Sequence, residues 1–162
     1  MPRSRRLAQP ALDELHLAAW RAFLTAHAAA VGRIERDLAR AGRDLVPLNW
    51  YDVLIELLEA PDHRLRQRDL ASSVVLTRSG ISRLIDRLEA AGLVRRESNP
   101  ADRRGDLIVL TELGRGAVRR TWPVYARSIA EHFARYVRPD EAEVLTAALE
   151  RVRAAEPPRL TG

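Results

Sequence analysis

Apolar residues recur at intervals of three and four along most of the chain, which is the spacing of one face of an α-helix. The longest such pattern runs from Leu12 to about Ala41, where Gly42 marks its end. A shorter pattern predicts a second helix over residues 49–60, and Pro61 stops it because proline cannot continue a helix. Residues 67–74 form a third, short helical pattern.

The fourth helical pattern, TRSGISRLIDRLEAAG, has both of its ends marked in the sequence. A tight link at residues 75–76 precedes it, and the hydroxyl of Thr77 is placed to cap its first turn. The helix is expected to run to Ala91, with Gly92 as a left-handed C-cap. Its four aliphatic residues fall within one narrow sector of the helix, so that side is predicted to be buried.

Two short strands and two helices follow. Residues 94–98 and 107–110 predict a hairpin around the polar loop NPADRRGD. Thr111 is placed to cap a long helix whose apolar pattern continues to Tyr136, and Pro139 opens a last helix. The expected fold is mainly α with a small β-hairpin wing, a winged helix-turn-helix core between flanking helices.

This order of elements suggests a division of the chain. Residues 45–111 are predicted to form the winged helix-turn-helix domain, and residues 12–44 and 112–155 a helical dimerisation region. A basic arm over 1–11 and a tail over 156–162 are expected at the two ends.

The side of the fourth helix opposite its aliphatic residues is polar and includes Ser79, Ser82, Arg83 and Asp86. Serine and arginine suit phosphates and base edges, and an acid can orient arginine or accept from cytosine. The hairpin tip adds Asp102, Arg103 and Arg104, and arginine in a minor groove gains from the negative potential there. Arg95 and Arg96 are expected to serve phosphates between the two contacts. An ordinary solvated face explains each part alone, but not their combination.

Charge supports the same interpretation, because it is concentrated in the middle of the chain. The net charge is +5, and residues 63–104 alone carry ten arginines against five acids. Such a concentration is the expected footprint of a polyanion binder.

The absence of cysteine excludes disulfides, thiolate metal sites and cysteine nucleophiles. The common hydrolase, metalloprotease, phosphate-loop and dinucleotide motifs are also missing, so an enzyme is not expected. No long apolar run or signal-peptide pattern is present, and a cytoplasmic location is the default expectation. A winged helix used only to bind other proteins is the remaining alternative.

Residues 65–116 resemble the core of the MarR (multiple antibiotic resistance regulator) family. The matching motifs, in the family's order and spacing, are DLA at 69–71, SRLIDRLEAAGLVRR at 82–96, DRRG at 102–105 and LTELG at 110–114. The resemblance implies a homodimeric bacterial regulator of transcription, commonly a repressor that a small ligand releases from DNA. The predicted DNA-contacting residues are Thr77, Arg78, Ser79, Ser82, Arg83, Arg87, Arg95, Asp102, Arg103 and Arg104.

Broad apolar stripes on the first and last two helices favour a second copy of the chain as their cover. Two-fold symmetry would then predict a pseudo-palindromic DNA site. A planar acidic or phenolic effector is a weaker expectation, with Trp20, His27, Trp50, Tyr51 and Asp52 as candidate contacts, although packing alone also explains these residues. The four histidines lack metal-ligand spacing, so neither a metal nor a cofactor is expected.

Overall fold

A computed structural model of the chain describes residues 12–73, 78–98 and 106–155. Its elements, in chain order, are α1 (Glu14–Ala41), α2 (Leu48–Glu59), a 3-10 turn (Pro61–His63), β1 (Arg64–Arg66), α3 (Gln67–Ser73), α4 (Arg78–Ala90), β2 (Val94–Ser98), β3 (Asp106–Leu110), α5 (Glu112–His132), a second 3-10 turn (Ala134–Tyr136) and α6 (Pro139–Ala154). The mainly α fold with a small antiparallel sheet, expected from the sequence, is confirmed.

The sheet has a strand that the sequence pattern did not predict. It has the order β1-β3-β2, in which β1 pairs antiparallel with β3 through Leu65 opposite Ile108. Two of the three residues of β1 are arginines, so its own pattern carries no strand signal. Residues Arg64–Arg66 form a strand because they pair with the edge of β3.

The fifth helix is shorter than expected. Its apolar pattern continues to Tyr136, but α5 ends at His132 and Phe133 leaves the helical conformation. Pro139 begins α6, and the residue before a proline is pushed towards extended backbone, as observed at Arg138. The chain must therefore leave the helix before this point. The link at residues 75–76 and the capping role of Thr77 lie outside the described residues.

The main core lies between α2, α4, the sheet and the first half of α5. Ile81, Leu84, Ile85 and Leu88 of α4 are fully buried there, together with Leu54 and Leu57 of α2, Leu70 of α3 and Ile108 of β3. Each such side chain contributes about 1.5–3 kcal/mol of burial. This core fixes α4 against the sheet and leaves its other side facing outward.

A second, smaller core joins α1 to the rest of the chain. Ile34 and Leu38 of α1 pack with Leu48, beside half-buried side chains of α5. Polar contacts reinforce this packing, because Ser128 Oγ donates to Asp37 Oδ2 at 3.0 Å and His132 Nε2 lies 2.7 Å from the same oxygen.

Large parts of α1 and α6 have no cover within one chain. Among the described residues of α1, Ile34 and Leu38 are the buried ones, and α6 has none. Large apolar side chains are instead exposed on both helices and at the end of α5, namely Leu12, Leu15, Trp20, Phe23, Leu24, Phe133, Tyr136, Val144, Leu145, Leu149 and Val152. None of the described helices is long and apolar enough to cross a membrane.

Candidate nucleic-acid interface

Helix α4 presents two sharply different sides. Its four aliphatic residues are at most 1% exposed, whereas Arg83, Asp86 and Arg87 are exposed and Ser82 is half-buried. The helix ends at Ala90, and Gly92 just beyond it has a φ of 72°, the left-handed conformation that glycine adopts without strain. Leu93 N donates to Leu88 O at 2.9 Å and closes this C-cap. The predicted buried face and C-cap are confirmed.

Arg83 and Arg87 stand on the outer side of α4, and in the part of the chain that the structure describes neither is in an ion pair. They lie four residues apart, so both guanidinium groups project from neighbouring turns of the same surface. Two exposed arginines with no ion-pair partner among the described residues form a surface suited to phosphates or guanine edges.

Arg96 does not belong to this exposed surface, and a phosphate contact by Arg96 stays a prediction, in competition with two carboxylates of α4. Its guanidinium pairs with Asp86 and Glu89 of α4, and its backbone N donates to Glu89 Oε1 at 2.9 Å. Asp86 orients an arginine, as expected of an acid in this position, but that arginine belongs to β2.

Arg95 points the other way from β2. It pairs with Glu97 on its own strand, and the Arg64 guanidinium of β1 lies 3.9 Å from the same carboxylate. Arg95 keeps 56% of its side chain exposed, against 24% for Arg96. A phosphate contact by Arg95 stays a prediction, in competition with Glu97.

Several predicted DNA-contacting residues have no described side chain. Arg78 and Ser79 are the first two residues of α4, and no side-chain contact is described for them. Thr77 and the tip residues Asp102, Arg103 and Arg104 lie outside the described residues. The strands that carry the tip are defined, because β2 and β3 pair antiparallel from Val94 opposite Leu110 to Ser98 opposite Asp106.

The base of the hairpin is fastened to α4 and α5 by one residue, Thr111. Its backbone N donates to Leu93 O at 3.1 Å, and its hydroxyl lies 2.7 Å from Gly92 O. The same hydroxyl accepts from Gly114 N at 3.0 Å and so caps α5, as the sequence predicted. The end of α4, the hairpin and the start of α5 therefore meet at a single junction.

The five candidate effector contacts fall into two groups. Trp20 and His27 each lie about 6.1 Å from the ring of Phe23 on the exposed first half of α1. Trp20 precedes the first buried residue, Ile34, by fourteen positions, about 21 Å of helix. Trp50, Tyr51 and Asp52 instead lie on α2. One chain therefore does not gather all five residues around one cleft.

One member of the α2 group, Tyr51, lies against an aromatic residue of α5. Tyr51 meets Tyr125 edge to face at 5.0 Å, and Tyr125 meets Trp122 at 6.2 Å.

Burial raises the pKa of Tyr125, and the nearby Asp52 carboxylate raises it further. Asp52 reaches solvent, but the protein around it removes part of its water. This desolvation, with Glu56 nearby, raises the pKa of Asp52. Contacts between residues so far apart in sequence leave no local signal.

The histidines of the described ranges have local or structural partners. Asp13 caps α1 by accepting from His16 N, and His16 Nδ1 lies 2.7 Å from the same carboxylate. His27 lies near the Phe23 ring, His63 Nδ1 lies 2.8 Å from Leu58 O, and His132 contacts Asp37. Within the described residues, no group of three or more histidine, aspartate or glutamate side chains is placed so that it could hold a metal ion.

Helix α3, the outward-facing α4 and the hairpin together define a winged helix-turn-helix, a DNA-binding class of fold. A model described as the MarR family matches residues 46–105. AbsC, a MarR family transcriptional regulator from Streptomyces coelicolor, has a similar crystal structure, with a TM-score of 0.76, 33% identity and coverage of 89% of this chain and 95% of AbsC. The chain therefore belongs to the MarR family of transcriptional regulators.

Two further comparisons agree. Sco3205, also a MarR family regulator from Streptomyces coelicolor and solved in complex with DNA, gives a TM-score of 0.78, 31% identity and coverage of 90% of each chain. The HTH-type transcriptional regulator MhqR of Bacillus subtilis is 30% identical over 102 residues, covering 63% of this chain and 68% of MhqR. The chain spans about half the length of some other curated relatives, such as 54% of YkoM of Bacillus subtilis.

Proposed function

We propose that this protein binds double-stranded DNA as a homodimer and represses transcription from a pseudo-palindromic operator. In each copy, α4 enters the major groove and the β2–β3 hairpin approaches the adjacent minor groove. The single observation that carries the proposal is the outer side of α4, where Arg83 and Arg87 are exposed and unpaired within the described residues while the opposite side is fully buried. Sco3205, a relative solved in complex with DNA, supports it.

A second copy of the chain is the natural cover for the apolar side chains on α1 and α6. Many large exposed apolar side chains on the same helices favour an interaction site, because soluble proteins rarely leave extensive apolar surface uncovered. A two-fold pair would place two α4 helices about one turn of DNA apart, and this spacing requires a pseudo-palindromic site.

The release step that we propose uses the region between α2 and α5. A planar acidic or phenolic molecule would stack on the exposed Trp122 ring, beside the partly buried Tyr125. Trp20 and His27 would join it only if α1 of a second copy brought them there. Such an effector must bind better to a dimer whose α4 helices are wrongly spaced for DNA. A coupling of ~1–3 kcal/mol weakens DNA binding roughly 5- to 150-fold.

DNA recognition is tested by selecting bound fragments from the source genome and measuring affinity against salt concentration. The logarithm of affinity should fall linearly with the logarithm of salt, with a slope of about 0.9 per phosphate contacted. Arg83→Ala should weaken operator binding by ~1–3 kcal/mol and relax preference at one position of each half-site. Arg151→Ala on α6 removes the same charge and should change little. Failure to prefer any genomic fragment at low salt would refute the proposal.

The same measurement separates this function from a winged helix that binds only other proteins. A protein-binding module has no need of free arginines on the outer side of α4. Such a module would bind DNA weakly and without sequence preference, and Arg83→Ala would leave that lack of preference unchanged.

A further inference from the structure

Arg96 of β2 contacts two carboxylates of α4, those of Asp86 and Glu89. Its guanidinium reaches Glu89 with one nitrogen and Asp86 with another, and its backbone N donates to the second oxygen of Glu89. Asp86 and Glu89 lie three residues apart on α4, so they present both carboxylates from one side of the helix. One side chain of β2 thereby holds two successive turns of α4.

These contacts leave little of Arg96 for a phosphate. A guanidinium already paired with two carboxylates would have to break those pairs before it could bind DNA. Its neighbour Arg95, on the opposite face of the same strand, is more than twice as exposed.

The Arg96 cluster lies where the hairpin leaves the core. Val94 and Leu93 anchor the start of β2 in the core, but beyond them β2 and β3 extend away from it, with Ser98 and Asp106 exposed. The Arg96 cluster is a polar connection between α4 and this extending part of the hairpin. Without it, the hairpin could tilt about its base while α4 stays in place.

We propose that Arg96 is a positioning residue for DNA recognition, which fixes the angle between α4 and the β2–β3 hairpin so that both meet the duplex as one rigid surface. This inference rests on the proposed function. Binding to DNA through two rigidly held elements saves the cost of ordering one of them on binding.

The test uses two variants that break the cluster from opposite sides and change the charge in opposite directions. Arg96→Met removes a positive charge, and Glu89→Met removes a negative one. Simple electrostatics predicts that Glu89→Met binds operator DNA more tightly than the wild type, because an acid near the phosphates is gone. The positioning role predicts that both variants bind about tenfold more weakly, with the salt-dependence slope unchanged.

Glu97→Met is the matched control, because it removes an acid of β2 that pairs with Arg95 and Arg64 outside the cluster. It should bind as well as the wild type or better. Glu89→Gln keeps a neutral acceptor for the backbone N of Arg96, so it should recover part of the affinity. If circular dichroism shows that Glu89→Met is unfolded, Glu89→Gln takes its place in the test.

Two outcomes would overturn the inference. Glu89→Met and Glu89→Gln could bind at least as tightly as the wild type, or Arg96→Met could lower the salt slope by about 0.9, the signature of a lost phosphate contact. Absence of specific binding by the wild type would instead refute the proposed function, so the two failures are distinguishable.

Discussion

Gly114 occupies the third position of α5 at the junction with the hairpin, and its replacement by alanine should destabilise the protein sharply. A methyl group there would overlap the carbonyl oxygen of Leu93 and lie 2.7 Å from Leu110 Cδ1. Neither neighbour can swing aside, because the carbonyl accepts from Thr111 N and Leu110 is buried in the core. The start of α5 must move away from the hairpin instead.

The size of the effect follows from three contributions. Forcing an extra methyl into a packed site costs about 1–3 kcal/mol. Displacing Gly114 N from the Thr111 hydroxyl weakens the cap of α5, which is worth about 1 kcal/mol. Alanine recovers roughly 1 kcal/mol through its better helix propensity. The net loss is about 1–3 kcal/mol, which lowers Tm by roughly 2–12 °C for a chain of this size.

Gly116→Ala is a matched control two residues further along α5. Its methyl group would meet the movable end of the Arg120 side chain at 3.0 Å and no core atom. It should leave Tm unchanged or raise it. Both variants are melted at one protein concentration by circular dichroism, since dimerisation makes Tm depend on concentration. Equal melting temperatures for the two variants would refute the packing argument.

Three further predictions concern other parts of the chain. Hydrogen bonds from His132 and Ser128 hold the pKa of Asp37 below its usual value, so their stabilisation is present above the unfolded pKa and lost as pH falls through the folded one. Asp37→Asn should therefore lower Tm at neutral pH and flatten the fall of Tm below about pH 5. Thermal melts over a series of pH values measure this, and a fall of Tm at acid pH equal to that of the wild type would exclude the role of Asp37. His63 has a φ of 55°, so His63→Val should cost about 1–3 kcal/mol in urea unfolding, and His63→Asn clearly less. Trp20→Ala should weaken the dimer about tenfold or more in sedimentation equilibrium, whereas Arg21→Ala should not; similar dissociation constants would argue against an α1 interface.

The sequence predicted the parts of the fold that depend on local pattern. The four aliphatic residues of α4 recur at helical spacing, and glycine and threonine stand at the helix ends where their conformations and hydrogen bonds are needed. Strand β1 could not be found in this way, because its partner β3 lies about forty residues further along the chain. The bond between Asp37 and His132 is likewise non-local.

The site shows the same limit at the level of single residues. Alternation along a strand places Arg95 and Arg96 on opposite faces, but only the packing of α4 decides which of the two is covered. A usable signal was present in the spacing of Asp86 and Glu89, two acids one turn apart on the helix that precedes the strand. Both acids were available to an arginine of the following strand.

Only Thr111 separates the last residue of β3 from the first residue of α5, so nothing between hairpin and helix can absorb movement. Helix α5 has 21 residues and is therefore about 31 Å long. If it moved as a rigid rod, a swing of about 5° at its hairpin end would carry its other end by roughly 3 Å. A very small angular change at the hairpin end of α5 would therefore produce a measurable displacement at its far end.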